Sequence, residues 1–224
     1  MNKSPNARDG VDLKKAFADQ PEHIKNLAFN KPEFWNLTLF VELLKHGLKK
    51  PLEDFERVEK RQLFTSKRKM KESAIFGFYG EKSRELGELR SKAADYLNND
   101  VTDAISDFEP IKFIEANNKA VSLIRELTKW KKDLLSIETP DFTKHLVSLL
   151  LQMPEGIANS IKETIQKVED IRKLEAPKLE EPEAEYTISF SINLPTDLEE
   201  SIAAEFKMLQ SRYDALNDLS DDLD

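Results

Sequence analysis

The chain has 224 residues, of which 39% are hydrophobic and 34% charged, and it carries a net charge of −8. It contains no cysteine, which excludes disulfides and thiolate metal sites, and its six glycines are few for a sandwich or barrel. We therefore predict a mainly α protein, with a multi-helix body, a small β element and a C-terminal strand–helix module. No signal peptide or apolar run long enough to span a bilayer is recognised, so a cytoplasmic protein without a membrane partner is expected.

Residues 1–174 are predicted to form the helical body, with residues 1–10 flexible. Apolar residues recur at three- and four-residue spacing from Phe34 to Leu48, which predicts a well-buried helix. Gly47 is expected to end this helix in a left-handed conformation, and Pro51 is expected to start the next one.

The middle of the body contains one ambiguous stretch. Residues 73–80 hold two glycines among aromatic side chains, which is compatible with a helix end and turn or with a short strand. A helix is then expected to resume near Glu81. The longest predicted helix runs from Pro110 to Ile137, and Pro154 is expected to open the last helix of the body.

No catalytic, cofactor or metal site is predicted. Residues 77–83 have glycines and a lysine, but their spacing and the intruding Glu81 do not fit a phosphate-binding loop, so a helix-breaking turn is expected. His23, His46 and His145 have no acid three residues away, which does not fit a helical di-metal site. An enzyme with an unrecognised helical active site remains the last alternative to a non-enzymatic function.

A basic run within residues 57–71 has only one acidic residue, Glu59. Its cations are Arg57, Lys60, Arg61, Lys67, Arg68, Lys69 and Lys71. Such a cluster could bind nucleic-acid phosphates in a salt-sensitive way. It could equally be a solvated helix face or pair with the acidic C-terminal part of the chain.

The charge changes sharply after the body. Residues 175–224 carry fourteen acidic residues against three basic ones, a net charge of −11, which leaves the rest of the chain at +3. Residues 175–185 contain two prolines and several glutamates, and we predict that they form an extended acidic linker. Residues 186–224 would then be a strand–helix interaction module with an acidic tail.

Large apolar residues alternate with small polar ones from Tyr186 to Leu194, which predicts a strand with one apolar face. Pro195 ends it, and Thr196 with Glu199 forms a capping box for a helix with a heptad seam. The predicted protein interface comprises Tyr186, Ile188, Phe190, Ile192, Leu194, Ile202, Phe206, Leu209, Tyr213 and Leu216.

The start of this module resembles the ribbon-helix-helix family of DNA-binding proteins. An alternating strand is followed by Leu194-Pro195, and Asp197-Leu198 opens a helix. In that family two chains pair their strands and the polar strand face enters the major groove, so the resemblance implies base contacts from the polar strand residues. These are Thr187, Ser189, Ser191 and Asn193. The likeness covers only residues 186–209, and a segment with a charge of −11 would repel DNA phosphates.

Two functional hypotheses follow. The first is a non-enzymatic assembly, adaptor or regulatory protein that binds a protein partner through the C-terminal module, as a homo-oligomer or within a larger complex. Its strand would pair with a second molecule, or alternatively with Ile75–Tyr79 of its own chain. The second is a nucleic-acid-associated protein that uses the basic run, with the acidic tail as an internal competitor. No cofactor is expected for either.

Overall fold

The computed structural model describes residues 13–30, 37–107, 109–175 and 189–221. Residues 13–16 are helical, and the helices that follow are α1 (Glu22–Asn30), α2 (Leu37–Glu56), α3 (Val58–Gln62), α4 (Glu72–Asp95), α5 (Val101–Asp107), α6 (Pro110–Leu135), α7 (Lys144–Glu175) and α8 (Leu198–Asp221). A π-helical turn joins α4 to α5, and a 3-10 turn precedes α7. The prediction of a mainly α protein is confirmed. None of these helices is long and apolar enough to cross a membrane.

The centre of the fold is the packing of α2 against α6. Phe40 and Phe113 stack with ring centroids 4.9 Å apart and planes 10° from parallel, and both side chains are fully buried. Burial of each ring favours folding by about 1.5–3 kcal/mol before chain entropy is counted. The broad apolar face of α2 also contacts α7, so the wide hydrophobic pattern after Phe34 reflects a helix covered on two sides.

Two predicted helix boundaries are wrong, because α2 continues through Gly47 and Pro51, and α7 continues through Pro154. Gly47 allows two helices to pack closely and does not form a left-handed turn. A Cβ atom at Gly47 would collide with the side chain of Asn117 on α6, lying 3.0 Å from its Cγ and nearer still to its amide atoms. Absence of a side chain at position 47 therefore lets α2 and α6 approach each other.

The predicted strand alternative and turn at residues 73–80 are also wrong. This stretch lies inside α4, where Ile75 and Tyr79 are one helical turn apart and both buried. Helical spacing explains the preference: both apolar side chains reach the core from one face. Ile75–Tyr79 therefore offers no strand edge to the C-terminal segment.

No strand occurs in the described residues, which contain one isolated parallel bridge between Arg68 and Ile137. Residues 189–194, the described end of the predicted strand, and Pro195 after them are neither helical nor part of a sheet. Their backbone is bonded to side chains of α7. The Asn193 N–H donates to Ser160 Oγ at 2.9 Å, and Lys167 Nζ donates to the Ser189 carbonyl at 3.3 Å. These side-chain partners replace some of the bonds that a neighbouring strand would make.

Candidate functional site

The predicted C-terminal interface lies largely against the chain's own body. Phe190, Ile202 and Leu209 are buried in the common hydrophobic core, with exposed fractions of 6%, 5% and 1%. The half-buried members of the predicted interface are Ile192, Leu194, Phe206 and Tyr213. Tyr186 and Ile188 lie outside the described residues, as does the side chain of Leu216.

Residues 193–199 also make polar and close van der Waals contacts with α4 and α7. The Asn193 side chain donates to Glu163 on α7 at 3.0 Å, and Glu199 pairs with Arg90 on α4. Gly156 on α7 is so close to the segment that a Cβ there would lie 2.9 Å from the Asn193 carbonyl oxygen. Of the polar residues implied by the ribbon-helix-helix resemblance, Asn193 is thus engaged with α7, and Thr187 lies outside the described residues.

In contrast to the C-terminal residues, the side chains of the basic run are exposed to solvent. All seven of its cations are exposed: Arg57 lies between α2 and α3, Lys60 and Arg61 lie on α3, and the other four lie in the loop that leads to α4. Arg57 pairs with Glu53 at 3.2 Å, Arg61 with Asp54 at 3.3 Å and Lys69 with Glu138 at 3.8 Å. The remaining members, Lys60, Lys67, Arg68 and Lys71, form no ion pair within the described part of the chain.

The single acid of the run is already used by a lysine of the core. Lys131 on α6 has a side chain only 2% exposed, and its ammonium lies 3.2 Å from Glu59 and also pairs with Glu155 on α7. The same ammonium lies 4.5 Å from the ring centre of Phe55, within range of a cation–π contact. These contacts fix α3 to α6 and α7, and they commit the carboxylate of Glu59 to a partner outside the run.

The loop after α3 is fixed by its backbone. The Arg68 N–H donates to the Ser136 carbonyl at 2.9 Å, and the Glu138 N–H donates to the Arg68 carbonyl at 3.0 Å. Ile137, between these two partners, is buried. The cations of the loop are therefore presented beside the C-terminal end of α6.

A groove between α2 and α6 adds further cations that lie outside the run. It encloses about 580 Å³, and its lining includes the exposed cations Lys50, Arg125, Lys129 and Lys132. These four form no ion pair within the described residues, whereas both acids of the lining already have partners. Asp54 pairs with Arg61, and Asp133 lies 3.8 Å from Lys82. The groove therefore presents a local excess of positive charge.

Sequence reasoning missed this groove, although part of its signal was present. Arg125, Lys129 and Lys132 follow a four- and three-residue spacing, which places them on one stripe of α6. Lys50 could not have been grouped with them, because it belongs to a different helix. Only the packing of α2 against α6 brings its charge into the same groove.

The basic run contacts the groove at one point and lies beside it at a second. Arg61 of the run pairs with Asp54, whose carboxylate lines the groove. Arg68 bonds to Ser136, which lies about one helical turn beyond Lys132. We call the combined region the basic surface. Eight of its eleven cations are without an ion pair in the described residues.

The clearest shifts in ionisation belong to pairs outside the basic surface. A hydrogen bond from Lys45 lowers the pKa of Glu169 and links α2 to α7. A hydrogen bond to Glu126 raises the pKa of Lys92 and links α4 to α6. Burial raises the pKa of the Tyr96 phenol. Since two of these shifts arise in ion pairs between helices and the third from burial, they indicate structural roles.

Within the described residues, the histidines do not form a metal site and the glycine-containing motif does not form a phosphate-binding loop. The rings of His23 and His46 meet edge to face with centroids 6.4 Å apart. The described residues contain no group of three His, Asp or Glu side chains able to hold a metal ion. Residues 77–83 form continuous helix in α4, where a phosphate-binding loop cannot form.

No family model matches the chain, and no curated protein or solved structure proved significantly similar to it.

Proposed function

We propose that this protein is a non-enzymatic, nucleic-acid-associated protein that binds phosphate backbones through its basic surface. The observation that supports the proposal is the proximity of the run and the groove, which together carry eight cations that have no ion pair within the described residues. Each phosphate that such a cation neutralises releases condensed counterions, which favours binding at low salt. An overall charge of −8 does not oppose this, because the field at the surface depends on local charge.

The acidic C-terminal segment is engaged elsewhere in the described residues. Glu199 contacts Arg90 on α4, and Asn193 contacts Glu163 on α7, whereas the basic surface is built on α2, α3, α6 and the loop before α4. The prediction that the acidic tail competes for the run has no contact in its favour among these residues. The proposal therefore treats the basic surface as open to an external ligand.

The test is the salt dependence of binding to a fluorescently labelled oligonucleotide, followed by anisotropy. Binding at low salt should weaken steeply as salt rises. In a plot of the logarithm of the binding constant against the logarithm of the salt concentration, each phosphate contact should contribute about 0.7 to 0.9 to the magnitude of the slope. Reversal of two groove charges, Lys129→Glu with Lys132→Glu, should reduce both affinity and slope. The matched control is Lys207→Glu, since Lys207 is an exposed cation of α8. Absence of binding at low salt would contradict the proposed function.

A second candidate is the assembly or adaptor function predicted for the C-terminal module. The observation in its favour is an open apolar cleft between α4 and α8, lined by Phe76, Phe142 and Tyr213. Tyr213 also contacts the Phe76 ring at a centroid distance of 5.1 Å, and Met208 on α8 is 47% exposed. A partner helix or a second copy of the chain could extend this partly covered surface. Light scattering of the intact protein tests self-association, and a monomer at all concentrations would contradict a homo-oligomer.

A further inference from the structure

Two large apolar side chains protrude from the basic surface. Phe64 is 91% exposed and Leu63 is 78% exposed, the highest values among the large hydrophobic residues that the structure describes. Both follow α3 directly, between Arg61 and Lys67. Exposed apolar side chains surrounded by cations are typical of a binding site, because their solvation is unfavourable in the absence of a ligand.

The aromatic ring is presented by a turn with backbone contacts on both sides. The Phe64 N–H donates to the Arg61 carbonyl at 3.3 Å, and the Thr65 hydroxyl donates to the same oxygen at 3.2 Å. Four residues after the phenylalanine, Arg68 is bonded to Ser136. Such anchoring reduces the conformational freedom that the ring would lose on binding a ligand.

We propose that the ligand of the basic surface is a single-stranded nucleic acid, with one base stacked on Phe64 and the adjoining phosphates bound by Lys67, Arg68 and the groove cations. This inference rests on the proposed function and specifies the class of nucleic acid that the surface binds. Single-strand sites typically combine a cationic groove with exposed aromatic rings, since every unpaired base offers a face for stacking.

A duplex fits the same features less well. Its base faces are already stacked on one another, so an aromatic ring at the tip of a loop would gain a partner only by forcing two base pairs apart. A single strand can bend into the groove at Lys129 and still place a base on Phe64, because it lacks the stiffness of a duplex.

An anionic membrane surface is the main competing ligand for a basic loop with an apolar tip. A flat bilayer could accept Leu63 and Phe64, but it would not enter the concave groove that holds Lys50 and Arg125. The continuity between loop and groove through Arg61 and Asp54 therefore favours a flexible polyanion over a membrane.

The experiment compares a labelled oligothymidylate of about 20 nucleotides, longer than the roughly 4–16 nucleotides of common single-strand sites, with a duplex of the same length. The single strand should bind more tightly to the intact protein. Phe64→Ala should weaken its binding about tenfold, whereas Phe64→Trp should preserve it. Leu63→Ala is the matched control, because Leu63 is an exposed apolar neighbour without an aromatic ring. Its substitution should change affinity less than twofold.

The possible failures are distinguishable. Equal binding of both nucleic acids, unaffected by Phe64→Ala but weakened by Lys129→Glu with Lys132→Glu, would overturn the single-strand inference and leave the proposed function standing. Absence of binding to either nucleic acid would overturn both. Binding to phosphatidylserine vesicles instead, lost equally in Leu63→Ala and Phe64→Ala, would assign the loop to a membrane surface.

Discussion

The basic surface and the C-terminal segment use their side chains in opposite ways. In the C-terminal segment, Phe190, Ile202 and Leu209 are buried in the chain's own core, and Glu199 and Asn193 have partners on α4 and α7. On the basic surface, Phe64 is 91% exposed and most cations have no ion pair in the described residues. The contrast shows that an amphipathic pattern alone does not indicate an external partner, because the chain itself can supply one.

The contrast also separates two energetic roles. Burial of apolar side chains from α8 and residues 189–195 contributes to the free energy of folding, whereas like charges left exposed on one surface oppose folding weakly. A surface that retains such charges, together with exposed Phe64, gains most from an added ligand. Substitutions in the two regions should therefore affect different measurements.

The largest expected effect tests whether the C-terminal helix belongs to the folded core. Ile202→Ala should lower the free energy of unfolding by about 2–5 kcal/mol, because it leaves a cavity where a buried side chain packed. Urea denaturation measures the change. Met208→Ala on the same helix is the control and should cost far less, since Met208 is 47% exposed. Equal effects of the two variants would show that α8 is not held against the body in solution.

The second prediction concerns the close approach of residues 193 and 194 to α7. Gly156→Ala should destabilise the protein by about 1–3 kcal/mol, because the new Cβ would collide with the Asn193 carbonyl and the Leu194 side chain. Gly80→Ala is the matched control on α4, where a Cβ would meet open space. That variant should be neutral or up to about 1 kcal/mol more stable through helix propensity. Stabilisation by Gly156→Ala would contradict the packing described.

The third prediction concerns the basic surface, where stability and binding should separate. Lys129→Glu with Lys132→Glu should weaken single-strand binding about tenfold, equivalent to about 1.4 kcal/mol, and reduce the salt slope by about 1.4. Thermal unfolding should change little, because both side chains are exposed and form no ion pair in the described residues. A loss of stability as large as the loss of binding would contradict a surface role.

The smallest prediction concerns the pairing of Lys45 with Glu169. The pKa of Glu169 is lowered in the folded protein, so its contribution to stability is present above the ordinary glutamate value of 4.5 and is lost as pH falls through the folded pKa. Glu169→Gln should remove no more than about 1 kcal/mol at neutral pH and less in acid. Urea denaturation of the variant and the parent protein at neutral and at acidic pH measures the change in the free energy of unfolding. Glu115→Gln, at an exposed site on α6, serves as the control and should change the free energy of unfolding little.

Helical periodicity predicted the mainly α fold and the apolar face of α2, because three- and four-residue spacing acts within one element and requires no knowledge of its neighbours. The same locality explains why the basic run was recognised: its seven cations all fall within fifteen consecutive residues. The apolar residues of the C-terminal segment were recognised as a face in need of a partner, but nothing local shows where that partner lies.

Local signals failed where tertiary contacts outweigh backbone preference. Glycine and proline predicted helix ends at Gly47, Pro51 and Pro154, yet α2 and α7 continue through them because their apolar faces are buried on both sides of these positions. Alternation after Tyr186 predicted a strand, yet residues 189–195 lie on α7 with their backbone bonded to side chains.

The amino-acid sequence was sufficient to place helices and charges along the chain, since both depend on near neighbours. Tertiary structure alone decided that Lys50 joins Arg125, Lys129 and Lys132 in one groove, and that Glu59 is held by buried Lys131. It also decided that Phe190 and Ile202 lie within the chain's own core. The physical reason is that burial and electrostatic fields depend on distance in space, which helix packing sets between residues far apart in sequence.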